Sequence, residues 1–89
     1  MTVHVVISGL VQGVGFRYFL KRKAKELGIT GWVQNTGATV EAVFAGEKVQ
    51  IGKMITLCRE GPPLAQVHDI RVSENLKEEK YEGFTIRKS

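Results

Sequence analysis

Alternating apolar residues open the chain. In "VHVVISG" (3–9), Val3, Val5 and Ile7 fall on one side of an extended backbone, and the β-branched content suits a pleated strand. From Phe16 the period lengthens. Phe16, Leu20, Ala24 and Leu27 recur at i, i+4, i+8 and i+11, one face of a helix that Gly28 is placed to stop. "ITGWVQN" (29–35) and "TVEAVFAG" (39–46) return to strand character on either side of the short "TGA" (36–38), which predicts a hairpin. Ile51, Met54, Ile55 and Cys58 repeat at i, i+3, i+4 and i+7, a second helix ended by Gly61 with Pro62 and Pro63 just beyond. "LAQVHDIRVSE" (64–74) reads as a further strand and "EGFTIR" (82–87) as a short last one. The charged "NLKEEKY" (75–81) between them reads as a mobile loop.

The order is β-α-β-β-α-β with an extra short strand at the end. That is the α+β, ferredoxin-like arrangement, a split β-α-β sandwich with an antiparallel sheet and two helices on one face. Eighty-nine residues support one core, so residues 1–89 are read as a single domain. The same fold carries enzymes, RNA binders and metal carriers, so function has to come from a site. Composition narrows the classes. An apolar share of 43% and a charged share of 25% are those of an ordinary globular protein. No apolar run reaches eighteen residues, and "MTVHVVISG" lacks the features of a signal peptide, so no membrane association is expected. One cysteine, Cys58, excludes an internal disulfide and a cysteine metal cluster, which fits a reducing cytoplasm. A net charge of +4 favours an anionic partner without saying which.

The densest glycine segment, "GLVQGVGFR" (9–17), joins the first strand to the first helix. Unpaired backbone N–H groups and the helix dipole attract anions at such a junction. Gly13 and Gly15 permit φ > 0, so successive N–H groups can form an anion-binding nest. Arg17 falls in the first turn, where a cation gains nothing from the dipole; an anion held between helix and guanidinium would resolve the conflict. A glycine-rich turn with a surface arginine is the plainer reading of the same residues. Two familiar phosphate loops do not match. GxxxxGK[ST] lacks its Gly-Lys-Ser/Thr, and GxGxxG is met only as Gly13-x-Gly15, with Tyr18 at the third glycine.

Other candidates for chemistry are few. His4 and His68 lie within strands and read as sheet-surface residues, and Cys58 continues an apolar stripe. Glu78 and Glu79 read as solvated loop residues, and no acidic pair shows metal-ligand spacing. Lys21, Arg22, Lys23 and Lys25 make a basic helix surface, with Lys21 and Lys25 continuing the Arg17 side. Trp32 reads as packing. Asn35 closes "GWVQN" at the mouth of the hairpin, where asparagine is also a common turn residue.

"GLVQGVGFRYF" (9–19), followed by "LGITGWVQNT" (27–36), "TVEAVFAG" (39–46) and "REGPPLAQV" (59–67), resembles acylphosphatase in this order and over nearly the whole chain. The resemblance implies a ferredoxin-like enzyme, a monomer, that hydrolyses the carboxyl–phosphate bond of small-molecule acyl phosphates. It implies that Arg17 and the backbone N–H groups of Gln12, Gly13, Val14, Gly15 and Phe16 hold the phosphate, while Asn35 positions the attacking water. Inorganic phosphate or sulfate would then compete for the site, and neither metal nor cofactor would take part. Two departures stand out. Leu10 occupies a position that is basic in many members, which leaves the rim less cationic. "NTGATVE" (35–41) is shorter than the family's usual Asp-Gly stretch, which bears on the placement of Asn35.

So bare a site suits the reaction. The leaving carboxylate has a conjugate acid of pKa roughly 4 to 5 and departs without a general acid. Two other classes stand beside the enzyme. An RNA-recognition module would carry K/R-G-F/Y-G/A-F-V-x-F/Y on its third strand, but "TVEAVFAG" offers one aromatic and one acid, so nucleic acid is not expected. A phosphate sensor or carrier would bind without turnover, and an acyl-phosphate hydrolysis assay separates it from the enzyme.

Overall fold

The computed structural model describes residues 1–74 and 79–88. The elements follow the alternation read above: β1 (Thr2–Leu10), α1 (Phe16–Glu26), β2 (Thr30–Thr36), β3 (Thr39–Ala45), α2 (Lys48–Glu60), β4 (Gln66–Glu74) and β5 (Phe84–Ile86). One five-stranded sheet has the order β4-β1-β3-β2-β5. Val3, Val5 and Ile7 of β1 and Val40, Ala42 and Phe44 of β3 are buried in one cluster. Phe16, Leu20 and Ala24 of α1 join it, as do Ile51, Met54 and Cys58 of α2. Both helices therefore cover the same face of the sheet. Each fully buried aliphatic or aromatic side chain contributes about 1.5–3 kcal/mol by leaving water. Among the described residues no helix is long and apolar enough to cross a membrane.

Four of the strands pair antiparallel as expected, but β5 pairs parallel to β2, so the sheet is mixed. The register gives the reason. Glu74, Val3, Phe44, Gly31 and Phe84 form one row across the sheet, so β4 ends level with the start of β2. A chain crossing from there to the free edge of β2 must set out in β2's own direction. Period-two alternation reports a strand and says nothing of its direction. Residues 75–78 of the charged segment, Glu78 among them, lie outside the described residues. Residues 79–81 carry no regular structure, and the Tyr81 hydroxyl donates to the Glu79 carboxylate at 3.1 Å.

Candidate functional site

Topology brings two distant pieces of sequence to one end of the sheet. β1 and β2 each run antiparallel to β3 between them, so they point the same way and finish at the same end. Ile7, Val40 and Asn35 share a row there. The loop after β1 and the last residues of β2 are therefore neighbours, although 17 residues lie between Arg17 and Asn35 in the sequence.

Glycine shapes the loop. Gly13 has φ 74°, and Gly15, the N-cap of α1, has φ 78° and ψ 20°, left-handed conformations that cost residues with a Cβ about 1 kcal/mol or more. A cap with no side chain leaves the first N–H groups of α1 without a side-chain acceptor, and the first turn contains no acidic residue. The end is thus positive and unneutralised. Arg17 adds a full charge and, among the described residues, makes no ion pair. Phe16, buried in the core, and Val14, packed against it, anchor the loop to the body of the protein.

Val11, Gln12, Gly13, Gly15, Phe16, Arg17, Tyr18 and Asn35 line a hollow of about 120 Å³. A water molecule occupies about 30 Å³ of the liquid, so the space suits a phosphoryl-sized group. Sites for drug-sized ligands run from roughly 300 Å³ upward, so a nucleotide does not fit inside. Asn35 lines this hollow, and its amide oxygen is buried with no hydrogen-bond partner among the described residues. Such an orphaned acceptor is costly in an ordinary core and points to a ligand or solvent partner. Despite the short hairpin, Asn35 and Arg17 line the same hollow.

Gln12 has a role that the sequence did not reveal. Its Nε2 donates to the carbonyls of Gly37 at 2.7 Å and Thr39 at 3.0 Å, clasping the loop to the β2–β3 turn. That clasp fixes the loop relative to Asn35. Side-chain bonds across 25 residues leave no periodic trace in a sequence. Val14 does not line the hollow; its side chain faces the core, which leaves its backbone as the part available to the loop. Leu10, the last residue of β1, is exposed and is not among the residues that line the hollow.

The remaining candidates lie elsewhere. His4 Nε2 and Glu41 Oε2 are 2.6 Å apart on the helix-free face of the sheet. They border a wider hollow of about 670 Å³ with Trp32, Tyr81 and Arg87, whose guanidinium sits 4.2 Å from the Trp32 ring centroid. That hollow has mixed charge and no helix N-terminus, so the smaller one is the better suited to an anion. His68 is exposed on β4 beside Asp69. Burial pushes the Cys58 thiol up to about 12, so it stays protonated and serves as a small core residue. Among the described residues no three His, Cys, Asp or Glu side chains gather as a ligand set.

Comparison with known proteins completes the picture. An acylphosphatase family model matches residues 3–86. An acylphosphatase from Bordetella parapertussis is 46% identical over 84 residues, covering 93% of this chain and 89% of that protein. The crystal structure of acylphosphatase from Bacillus subtilis superposes with a TM-score of 0.93 at 32% identity, covering 97% of each chain. The structure of an acylphosphatase from Coxiella burnetii gives 0.92 at 41% identity, covering 97% of this chain and 90% of that one. Sequence, fold and the extent of both matches agree that the chain belongs to the acylphosphatase family.

Proposed function

We propose that the chain hydrolyses acyl phosphates to a carboxylate and inorganic phosphate in the hollow between the Gln12–Arg17 loop and Asn35. The observation that carries the residue assignment is that Asn35, whose buried amide oxygen has no partner among the described residues, lines the same phosphoryl-sized space as Arg17 and the uncapped helix end. The N–H groups from Gln12 to Phe16 and the Arg17 guanidinium receive the phosphate oxygens, whose charge is greatest as the bond breaks. The Asn35 oxygen accepts a hydrogen bond from water and aims it at phosphorus; an amide is not a base at neutral pH. Water oxygen bonds to phosphorus, the phosphorus–acyl oxygen bond breaks, and its electron pair leaves on the carboxylate. The water proton passes to a phosphate oxygen. The acting species is a monomer in the cytoplasm, a reading supported by the single self-contained core and the lone buried thiol.

The test combines turnover with occupancy. The protein should hydrolyse benzoyl phosphate, and inorganic phosphate or sulfate should inhibit competitively. In a phosphate titration followed by backbone amide shifts, the largest changes should fall on residues 12–17. Changes concentrated elsewhere would overturn the cradle.

A further inference from the structure

Asn35 lines the hollow from a thinly supported piece of sheet. β5 pairs with β2 only over Gly31, Trp32 and Val33, and the Arg87 N–H donates to the Val33 carbonyl at 2.8 Å. Beyond Val33, the described residues support β2 on one side alone, through β3. Side chains alternate along a strand. Asn35 pairs with Val40, which is buried in the core, and so shares its helix-covered side; Gln34 and Thr36 face the other way. There one carboxylate grips both. Glu41, opposite Gln34 in the register, accepts at Oε1 from Gln34 Nε2 at 2.8 Å and from Thr36 Oγ1 at 3.0 Å. Gln34 Nε2 also donates to Thr36 Oγ1 at 3.3 Å, which closes the triangle. The other carboxylate oxygen, Oε2, is 2.6 Å from His4 Nε2. A carboxylate only accepts, so the ring donates there and ties the acid to β1, the strand that leads into the glycine loop.

We infer that Glu41 is a positioning residue for the hydrolysis: by holding Gln34 and Thr36 on the far face of the sheet, it fixes the backbone of Asn35 between them, and with it the direction in which Asn35 meets the water. This rests on the water-positioning reading of Asn35 and adds what keeps that residue in place. The chemistry suits the task. Hydrogen bonds to an ionised acceptor are roughly twice as strong as neutral ones, and two of them reach the neighbours on either side of the residue to be held. With both neighbours pinned, the peptide units between them lose most of their freedom. Orientation is where such restraint counts, since a misplacement of about 1 Å can cost as much as 10²-fold in rate. The same bonds in mid-sheet would add only stability; at the one-sided end of β2 they also act on turnover. Glu41 does not line the phosphoryl-sized hollow and meets no reacting atom itself.

The experiment is steady-state kinetics on benzoyl phosphate with Glu41→Ala, Glu41→Gln and Gln34→Ala/Thr36→Val, each well below its melting temperature. Glu41→Ala should lower kcat about tenfold, part of the 10² assigned to Asn35, with KM and the inhibition constant for inorganic phosphate unchanged. Gln34→Ala/Thr36→Val leaves the His4–Glu41 link between β1 and β3 in place, so it should stay folded and show the same loss even if Glu41→Ala does not fold. Glu41→Gln keeps an oxygen that accepts from both donors and should recover most of the rate. In an Asn35→Ala background, adding Glu41→Ala should have little further effect, because residues of one network do not add. An equal loss with and without Asn35, a raised KM with kcat kept, or a glutamine variant as slow as the alanine one would each overturn the inference. Backbone relaxation separates the two levels of the account. The order parameter of the Asn35 amide should be about 0.85 in the wild type and fall in Glu41→Ala and Gln34→Ala/Thr36→Val, but not in Glu41→Gln. If Asn35→Ala keeps the wild-type kcat, the water role fails, and relaxation still decides whether Glu41 holds Asn35; an unchanged order parameter would overturn that hold.

Discussion

Arg17→Ala and Asn35→Ala should damage the enzyme differently, because the two side chains meet different reacting atoms in the proposed site. Losing Arg17 removes charge-assisted contacts to the phosphate in both ground and transition states, so KM should rise while kcat falls by about 10²–10³. Losing Asn35 leaves the phosphate cradle in place and frees the water, so kcat should fall by about 10² with KM little changed. Steady-state kinetics on benzoyl phosphate, with far-UV circular dichroism as a folding control, reads both. An Asn35→Ala protein with wild-type kcat would contradict the water-positioning role. Both residues were legible as candidates in the sequence, Arg17 from its electrostatic misfit at a helix start and Asn35 from its place at the hairpin mouth. Their roles came from the family resemblance. The Gln12 clasp was not legible, because it depends on which segments meet in three dimensions.

The placement of α1 depends on a glycine at the far end of α2. Gly61 has φ 68° and ψ 178°, a region essentially reserved for glycine, and a Cβ there would stand 2.9 Å from Cε2 of Phe16. Phe16 is the first residue of α1 and lines the hollow beside Arg17 and Asn35. Gly61→Ala should therefore cost about 1–3 kcal/mol in backbone strain, before the collision with the ring is counted. For a domain of this size that lowers Tm by roughly 4–8 °C per kcal/mol. Displacing Phe16 should also lower kcat/KM while the protein remains folded; wild-type Tm and activity together would contradict the coupling. Gly61 was legible as a helix stop, but its contact with Phe16 was not. Between strands, Glu41 links β3 to β1. Its hydrogen bond to His4, with further ones from Gln34 and Thr36, holds the carboxyl below its ordinary 4.5, against an opposing effect of burial. A folded-state pKa below the unfolded one contributes stability that is present above 4.5 and is lost as pH falls through the folded value. Urea midpoints of wild type and Glu41→Gln should therefore differ at pH 6, and the gap should close on acidification below 4.5. A gap unchanged down to pH 3 would contradict this.

At the scale of the whole molecule, most of the architecture was readable because each element carries its own period. Phe16, Leu20 and Ala24 face the core as the helical spacing required, and Val3, Val5 and Ile7 do so at strand spacing. The parallel β5 escaped, since its direction follows from where β4 ends. The topology that joins the ends of β1 and β2 makes the proposed site, whose equipment is electrostatic: backbone N–H groups, one guanidinium and one amide. The central claim is that this equipment suffices only when the leaving group needs no proton. One rate series over acyl, aryl and alkyl phosphates at pH 7, with and without EDTA, tests it directly. Acyl phosphates should be cleaved fastest and alkyl monoesters barely, since an unprotonated alkoxide has a conjugate-acid pKa of roughly 16, close to that of water. EDTA should leave the rates unchanged. Comparable rates on acyl and alkyl phosphates would reveal a general acid, and loss of activity in EDTA would reveal a metal; either result would contradict the account.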